Sequence, residues 1–138
     1  METALAVLRA MVAIADSTVE RATGQLTLTQ FHALRVVSER TPVTMSRVAD
    51  ELAMNPSTVT RACERLTGLD LLQKAQNPLN RRETLLAPTA KGRQLVGRVD
   101  EDRRRVLAAV LDRLDEDVRA SVLTAFANFA SVATPDAP

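Results

Sequence analysis

Apolar residues recur along residues 4–20 at intervals of three and four. Leu5, Leu8, Val12, Ala15 and Val19 form one stripe, with Val7, Met11 and Ile14 beside it. That spacing predicts an amphipathic first helix with a wide apolar face. Residues 29–40 repeat the pattern with Phe31, Leu34 and Val37, taking Thr29 as the cap and Thr41-Pro42 as the stop. A third, short helix follows Thr44, with Met45, Val48, Ala49 and Leu52 on its apolar side. Asn55 then reads as an N-cap and Pro56 as the first helical residue, where a missing N–H costs nothing. Two short helices joined this tightly predict a helix-turn-helix.

The fourth helix, residues 56–69, places Val59, Ala62, Cys63 and Leu66 in one arc and Ser57, Arg61, Glu64 and Gly68 opposite, with Thr58, Thr60 and Arg65 on the flanks. Short polar side chains and guanidinium groups on one side suit a helix that enters a DNA groove, and they also suit an ordinary solvated face. Residues 71–76 and 83–87 read as two short strands. Between them, Asn77-Pro78-Leu79-Asn80-Arg81-Arg82 reads as a turn whose tip carries adjacent arginines, a natural probe for phosphates or the minor groove. Thr89 caps a long helix over 90–113, with Leu95, Val99, Val106, Val110 and Leu114 at helical spacing. Asp115-Glu116-Asp117 opens a last helix with acids at its positive end, and Val118, Val122, Ala125, Phe126, Phe129 and Val132 form its stripe. The residues after Ala133 are expected to fray.

Composition narrows the classes. The chain has 138 residues, 46% hydrophobic and 25% charged, which suits one domain. With three Phe and no Trp or Tyr, the core must be built from Leu, Val and Ala. A single Cys and a single His supply neither a disulfide nor a metal cluster, so no metal or cofactor is expected. The start Met1-Glu2 lacks a secretory pattern and no apolar run reaches membrane-span length, so a cytoplasmic protein without membrane contact is expected. The net charge of +1 hides an uneven distribution. Residues Thr44 to Arg98 hold nine basic against five acidic residues, a net of +4, and the remainder nets −3. No Ser/His/Asp grouping, glycine-rich phosphate loop or paired carboxylate motif points to an enzyme.

The order of elements and three motifs carry a family resemblance. Leu28-Thr29-Gln30-Phe31-His32-Ala33-Leu34, the helix start Asn55-Pro56-Ser57-Thr58-Val59-Thr60-Arg61, and Asn80-Arg81-Arg82 through Thr89-Ala90-Lys91-Gly92 together resemble the MarR family (multiple antibiotic resistance regulators) over nearly the whole chain. Three positions depart from its pattern. Asp70 stands where glycine usually ends the recognition helix, so Asp70 itself must turn left-handed or the helix must end differently. Asn77 and Asn80 replace the usual wing aspartates. Pro88 replaces a leucine, which predicts a second wing strand one residue short.

The resemblance implies a mainly α fold with a small β-wing: a winged helix-turn-helix of about six helices plus a two-stranded hairpin, intertwined as a homodimer. It implies a single domain over 1–138, with a DNA-binding lobe at 29–89 and a helical dimerisation lobe from 1–28 and 90–138. Its function would be that of a transcriptional regulator, a repressor, that binds a pseudo-palindromic double-stranded operator. Ser57, Thr58, Thr60, Arg61, Arg65, Arg81 and Arg82 are the candidate DNA contacts. A small phenolic or lipophilic effector is implied as well, in a cleft lined by Met11, Ala15, Phe31, His32 and Arg35. Cys63, on the buried arc, reads as a packed thiol and not an oxidant sensor. The alternative is a winged-helix protein-interaction module without specific DNA binding.

Overall fold

Side-chain caps set the starts of the middle helices in the computed structural model, which describes residues 1–133. The chain runs α1 (Glu2–Ala22), α2 (Leu28–Arg40), β1 (Val43–Thr44), α3 (Met45–Leu52), α4 (Pro56–Gly68), β2 (Leu72–Asn77), β3 (Asn80–Pro88), α5 (Ala90–Leu111) and α6 (Glu116–Ala133). Six helices with a small antiparallel sheet make it a winged helix-turn-helix. The expected fraying after Ala133 lies outside the described residues.

Four details differ from the sequence reading. The cap of α2 is Thr27, not Thr29: its hydroxyl accepts from Gln30 N while the Gln30 side chain accepts from Thr27 N, a reciprocal box that starts the helix one residue earlier. The sheet has three strands, in the order β1-β3-β2, because Val43 and Thr44 pair with Leu86 and Leu85 just before Thr44 caps α3. Two residues between a proline and a helix cap carry too little periodicity to announce a strand. The hairpin turn is shorter than expected, since Asn77 already pairs with Asn80. Pro88, finally, stays in β3 opposite Leu72; β1 pairs no further than Leu86, so this proline lies beyond the doubly bonded part of the strand.

The chain divides into two compact units, one ending at Arg103 and the other beginning at Arg104. The first unit holds a single apolar cluster. Phe31, Leu34 and Val37 of α2, Val48 of α3, Val59, Cys63 and Leu66 of α4, Leu72 and Leu86 of the sheet, and Leu95 and Val99 of α5 are all buried within it. In the second unit, Arg119 of α6 donates to the carbonyls of Leu111 and Leu114 at the end of α5, at 3.0 and 3.1 Å. No residue of α6 is buried, and Phe129 and Val132 are 71% and 83% exposed. No helix among the described residues is long and apolar enough to cross a membrane.

One junction joins α4, the wing and α5. Asp70 takes the left-handed conformation (φ 60°), and the departure at this position is therefore met by Asp70 itself. The Thr89 hydroxyl donates to the Asp70 carbonyl (2.6 Å) and accepts from Gly92 N (3.0 Å), while Thr89 N donates to Leu71 O (3.1 Å). Lys91 Nζ donates to Leu69 O at 2.9 Å. Gly92 is packed so closely that a Cβ there would meet Leu71 O at 2.1 Å, whereas one at Gly97 would meet nothing within 4 Å.

This contrast gives a paired prediction. Gly92→Ala forces backbone apart and is expected to destabilise the protein by at least about 1–3 kcal/mol. Gly97→Ala, on the same helix, is expected to be neutral or to stabilise by up to roughly 1 kcal/mol. Urea midpoints at one fixed protein concentration check both, and equal effects would contradict the close approach at Leu71.

Candidate nucleic-acid interface

The fourth helix is built to show one side. Asn55 Oδ1 accepts from both Ser57 N (2.9 Å) and the Ser57 hydroxyl (2.7 Å), and Pro56 occupies the first helical position. Val59, Ala62, Cys63 and Leu66 are buried, so the rotation of the helix about its axis is fixed by the core. Ser57, Arg61, Glu64 and Arg65 are then exposed, and Thr58 and Thr60 are half-buried beside them. Among the described residues no carboxylate pairs with Arg61 or Arg65. The Thr60 hydroxyl donates to Pro56 O at 2.9 Å, and the Ser57 hydroxyl proton is committed to the cap.

The turn before α4 is equally constrained. Ala53 ends α3 in the left-handed region (φ 50°), and its N–H reaches back to the Ala49 and Asp50 carbonyls. On the same side, Glu51 of α3 accepts from Arg40 at the end of α2 (3.1 Å) and from Arg47 (3.3 Å). The Glu51 hub escaped the sequence reading; the Arg47–Glu51 spacing of four on one helix was its only visible sign.

The wing places its arginines differently from the sequence reading. They do not form the tip. Pro78 and Leu79 do, and Leu79 is 94% exposed. The ladder jumps from Gln76↔Thr84 to Asn77↔Asn80, so Arg81, Arg82 and Glu83 bulge from β3 behind the turn. Side chains brace this bulge: Gln76 Nε2 donates to Arg81 O (2.9 Å), Asn80 Oδ1 accepts from Arg82 N (3.1 Å), and Asn77 Nδ2 donates to Glu83 Oε2 (3.1 Å). Both arginines remain exposed.

Of the candidate effector residues, four come together and one stands aside. Phe31 is fully buried, and the guanidinium groups of Arg35 and Arg103 lie over its ring, 5.3 and 5.1 Å from the centroid. Arg35 pairs with Asp100 through both nitrogens and with Glu39 at 3.6 Å. Arg103 donates to the Thr18 hydroxyl (3.0 Å) and to Ala15 O (3.2 Å). His32 lies with its ring 6.5 Å from that of Phe31, and Met11 is exposed on α1. Arg103 and Asp100 are the members that sequence reasoning missed, because contacts 65 to 88 residues apart leave no periodic trace. The Asp100 hydrogen bond holds the Arg35 pKa up, while burial, then Arg35, press that of Arg103 down. Burial pushes the Cys63 thiol up to about 11, which favours its protonated form. No group of three or more metal-ligating side chains forms among the described residues.

Residues 26–84 match the sequence profile described as the MarR family. A Bacillus subtilis (strain 168) protein, the uncharacterized HTH-type transcriptional regulator YhjH, is 30% identical over 71 residues, which is 51% of this chain and 41% of that protein. The chain thus aligns with about two-fifths of the length of that relative. The crystal structure of RV1404 from Mycobacterium tuberculosis superposes with a TM-score of 0.86 at 29% identity, covering 94% of this chain and 89% of the other. FabT of Streptococcus pneumoniae, crystallised in complex with DNA, superposes with a TM-score of 0.80 at 19% identity over 95% of this chain and 92% of its own, a likeness of fold.

The histidine beside the guanidinium pair supplies a pH prediction. Burial, then Arg103 and Arg35, lower the His32 pKa below its ordinary 6.5, so the folded protein favours the neutral ring. The unfolded chain takes the proton first as pH falls through 6.5, and stability held above that value is lost on the way down to the lowered folded pKa. His32→Asn is expected to flatten this part of the pH profile. Urea midpoints of the two proteins across that interval check it; identical slopes would remove His32 from the network.

Proposed function

We propose that the chain, whose residues 26–84 match the MarR family profile, is a MarR-family cytoplasmic repressor that reads operator DNA as a homodimer. The observation that carries the reading is the division of α4. One arc is locked in the core, and the other offers Ser57, Thr58, Thr60, Arg61 and Arg65 with both arginines free of carboxylates. A side-chain fork that need not break an ion pair before meeting a base edge or a phosphate keeps the full value of that contact. Arg81 and Arg82 add positive charge behind the wing tip, suited to the phosphates or the adjoining minor groove. FabT, with the same fold, was crystallised on DNA.

A second copy of the chain is the partner this reading needs. Leu5, Leu8 and Val12 of α1 are 41%, 59% and 44% exposed, and Phe126, Phe129 and Val132 of α6 are open as well. Apolar stripes of this length on an isolated chain mark a surface for association. Two-fold pairing would set two copies of α4 on successive major-groove faces, about 34 Å apart, and so would require a pseudo-palindromic site. Met11, Ala15, Phe31, His32 and Arg35 are the proposed effector site; an aromatic effector there competes with Arg35 and Arg103 for the face of Phe31.

Gel-shift titrations on a duplex enriched by the wild-type protein from a randomised pool test this. Arg61→Ala is expected to lose about 1–3 kcal/mol of affinity and to relax base preference. Arg81→Ala is expected to weaken all sites similarly and to reduce the salt slope by roughly one. Unchanged binding in both variants would remove the assigned interface, and binding without sequence preference would favour the interaction-module alternative.

A further inference from the structure

We propose that Leu79 is an apolar probe of the DNA minor groove that reads the deformability of the base step it meets. The inference rests on the DNA-reading function proposed above and adds a specificity element to it. At 94%, Leu79 is among the most exposed large apolar side chains described; apart from the terminal Met1, the others lie on α1, α5 and α6, where helical stripes account for them. A turn tip ordinarily carries polar residues, so a leucine there stands apart from both turn chemistry and core.

The tip is built to hold that side chain out. Pro78 fixes its own backbone, and Asn77 Oδ1 accepts from Leu79 N at 3.0 Å, closing a local turn around the leucine. The polar side chains nearby are spent on the wing itself. Gln76 bonds Arg81 O, Asn77 bonds Glu83, and Asn80 bonds Arg82 N, at 2.9 to 3.1 Å. What remains to face outward is one apolar group followed by two guanidinium groups, with Glu83, the sole carboxylate of the hairpin, engaged by Asn77.

That arrangement matches the minor groove. Its walls are sugar edges, its width is about 6 Å, and lines of phosphate border it on both sides. A leucine fits between the walls while Arg81 and Arg82 meet the phosphates. An apolar wedge in this groove partly unstacks a base step, and pyrimidine–purine steps yield at least cost. Leu79 thus distinguishes flanks that no hydrogen bond reads.

The test compares the flanks enriched from a randomised duplex pool by wild type, Leu79→Ala and Leu79→Met, followed by titration on matched sites. Wild type and Leu79→Met are expected to enrich flexible steps where the wing reaches. Leu79→Ala is expected to enrich the same central sequence without that flank preference, to lose about tenfold in affinity on flexible flanks and little on stiff A-tracts, and to keep the wild-type salt slope. If Leu79→Ala retains the flank preference, or loses affinity equally on every flank, the probe is overturned while the α4 interface stands. If wild type enriches no sequence at all, the DNA-reading function falls and the probe with it. If Leu79→Ala instead changes the sedimenting mass of the DNA-free protein, Leu79 is a contact between copies and the proposal is wrong.

Discussion

The hydroxyl of Thr89 bridges the end of one helix and the start of another: it donates to the Asp70 carbonyl and accepts from Gly92 N. Around it, Leu71 O accepts from Thr89 N and Leu69 O accepts from the Lys91 ammonium. The carbonyls of the turn that follows α4, Leu69 to Leu71, are thereby satisfied by the residues that open α5, and the first wing pair, Leu72 with Pro88, comes next along both strands. Three elements that must hold a common geometry meet at one turn. If α4 rotated, its buried arc would leave the core; if it slid, the bonds to Thr89 and Lys91 would break. The direction in which α4 shows its polar side is set here.

A second set of restraints ties α5 to the first two helices. Three residues within one turn of α5 reach different partners: Asp100 holds Arg35 of α2, Asp102 accepts from Arg21 of α1 at 2.9 Å, and Arg103 bonds α1 at Thr18 and Ala15 while covering Phe31. Thr18 is fully buried and satisfied at both ends, donating to Ile14 O and accepting from Arg103. Half-buried charges persist there because each guanidinium has hydrogen-bond acceptors or an aromatic face as well as a nearby carboxylate. Burial, then the charges of Arg103 and Arg35, favour the neutral form of His32.

The helices and the apolar arc of α4 were legible in the sequence because burial imposes a period, and Val59, Ala62, Cys63 and Leu66 are the residues buried. At Asp70 the sequence left two outcomes open, a left-handed residue or a different helix end, and the first is the one adopted. Periodicity is silent where hydrogen bonding decides. Thr27 and Thr29 are equally plausible caps until Gln30 is seen returning a bond to Thr27 N. A run of Asn, Pro and Arg reads as one long turn, yet the side chains of Gln76, Asn77 and Asn80 hold the arginines in a bulge and leave Leu79 at the tip. The two-residue β1 and the Arg103 network depend on partners dozens of residues away, so local pattern carries no record of them.

The arginines also explain why net charge is a poor guide for this chain. Arg21, Arg35, Arg40 and Arg47 are bound to carboxylates, and Arg93 and Arg119 to backbone carbonyls, so their charges and donors are committed to the fold. Arg61, Arg65, Arg81 and Arg82 have no such carboxylate partners among the described residues, and all four lie on α4 or the wing. A cation already paired inside the protein displaces few counterions from a polyanion, because its field is largely neutralised before contact. The positive charge open to a partner is therefore smaller than the count of basic residues. The four arginines of α4 and the wing stand on backbone that the core and the Thr89 junction have already fixed, so their spacing is set before a partner arrives.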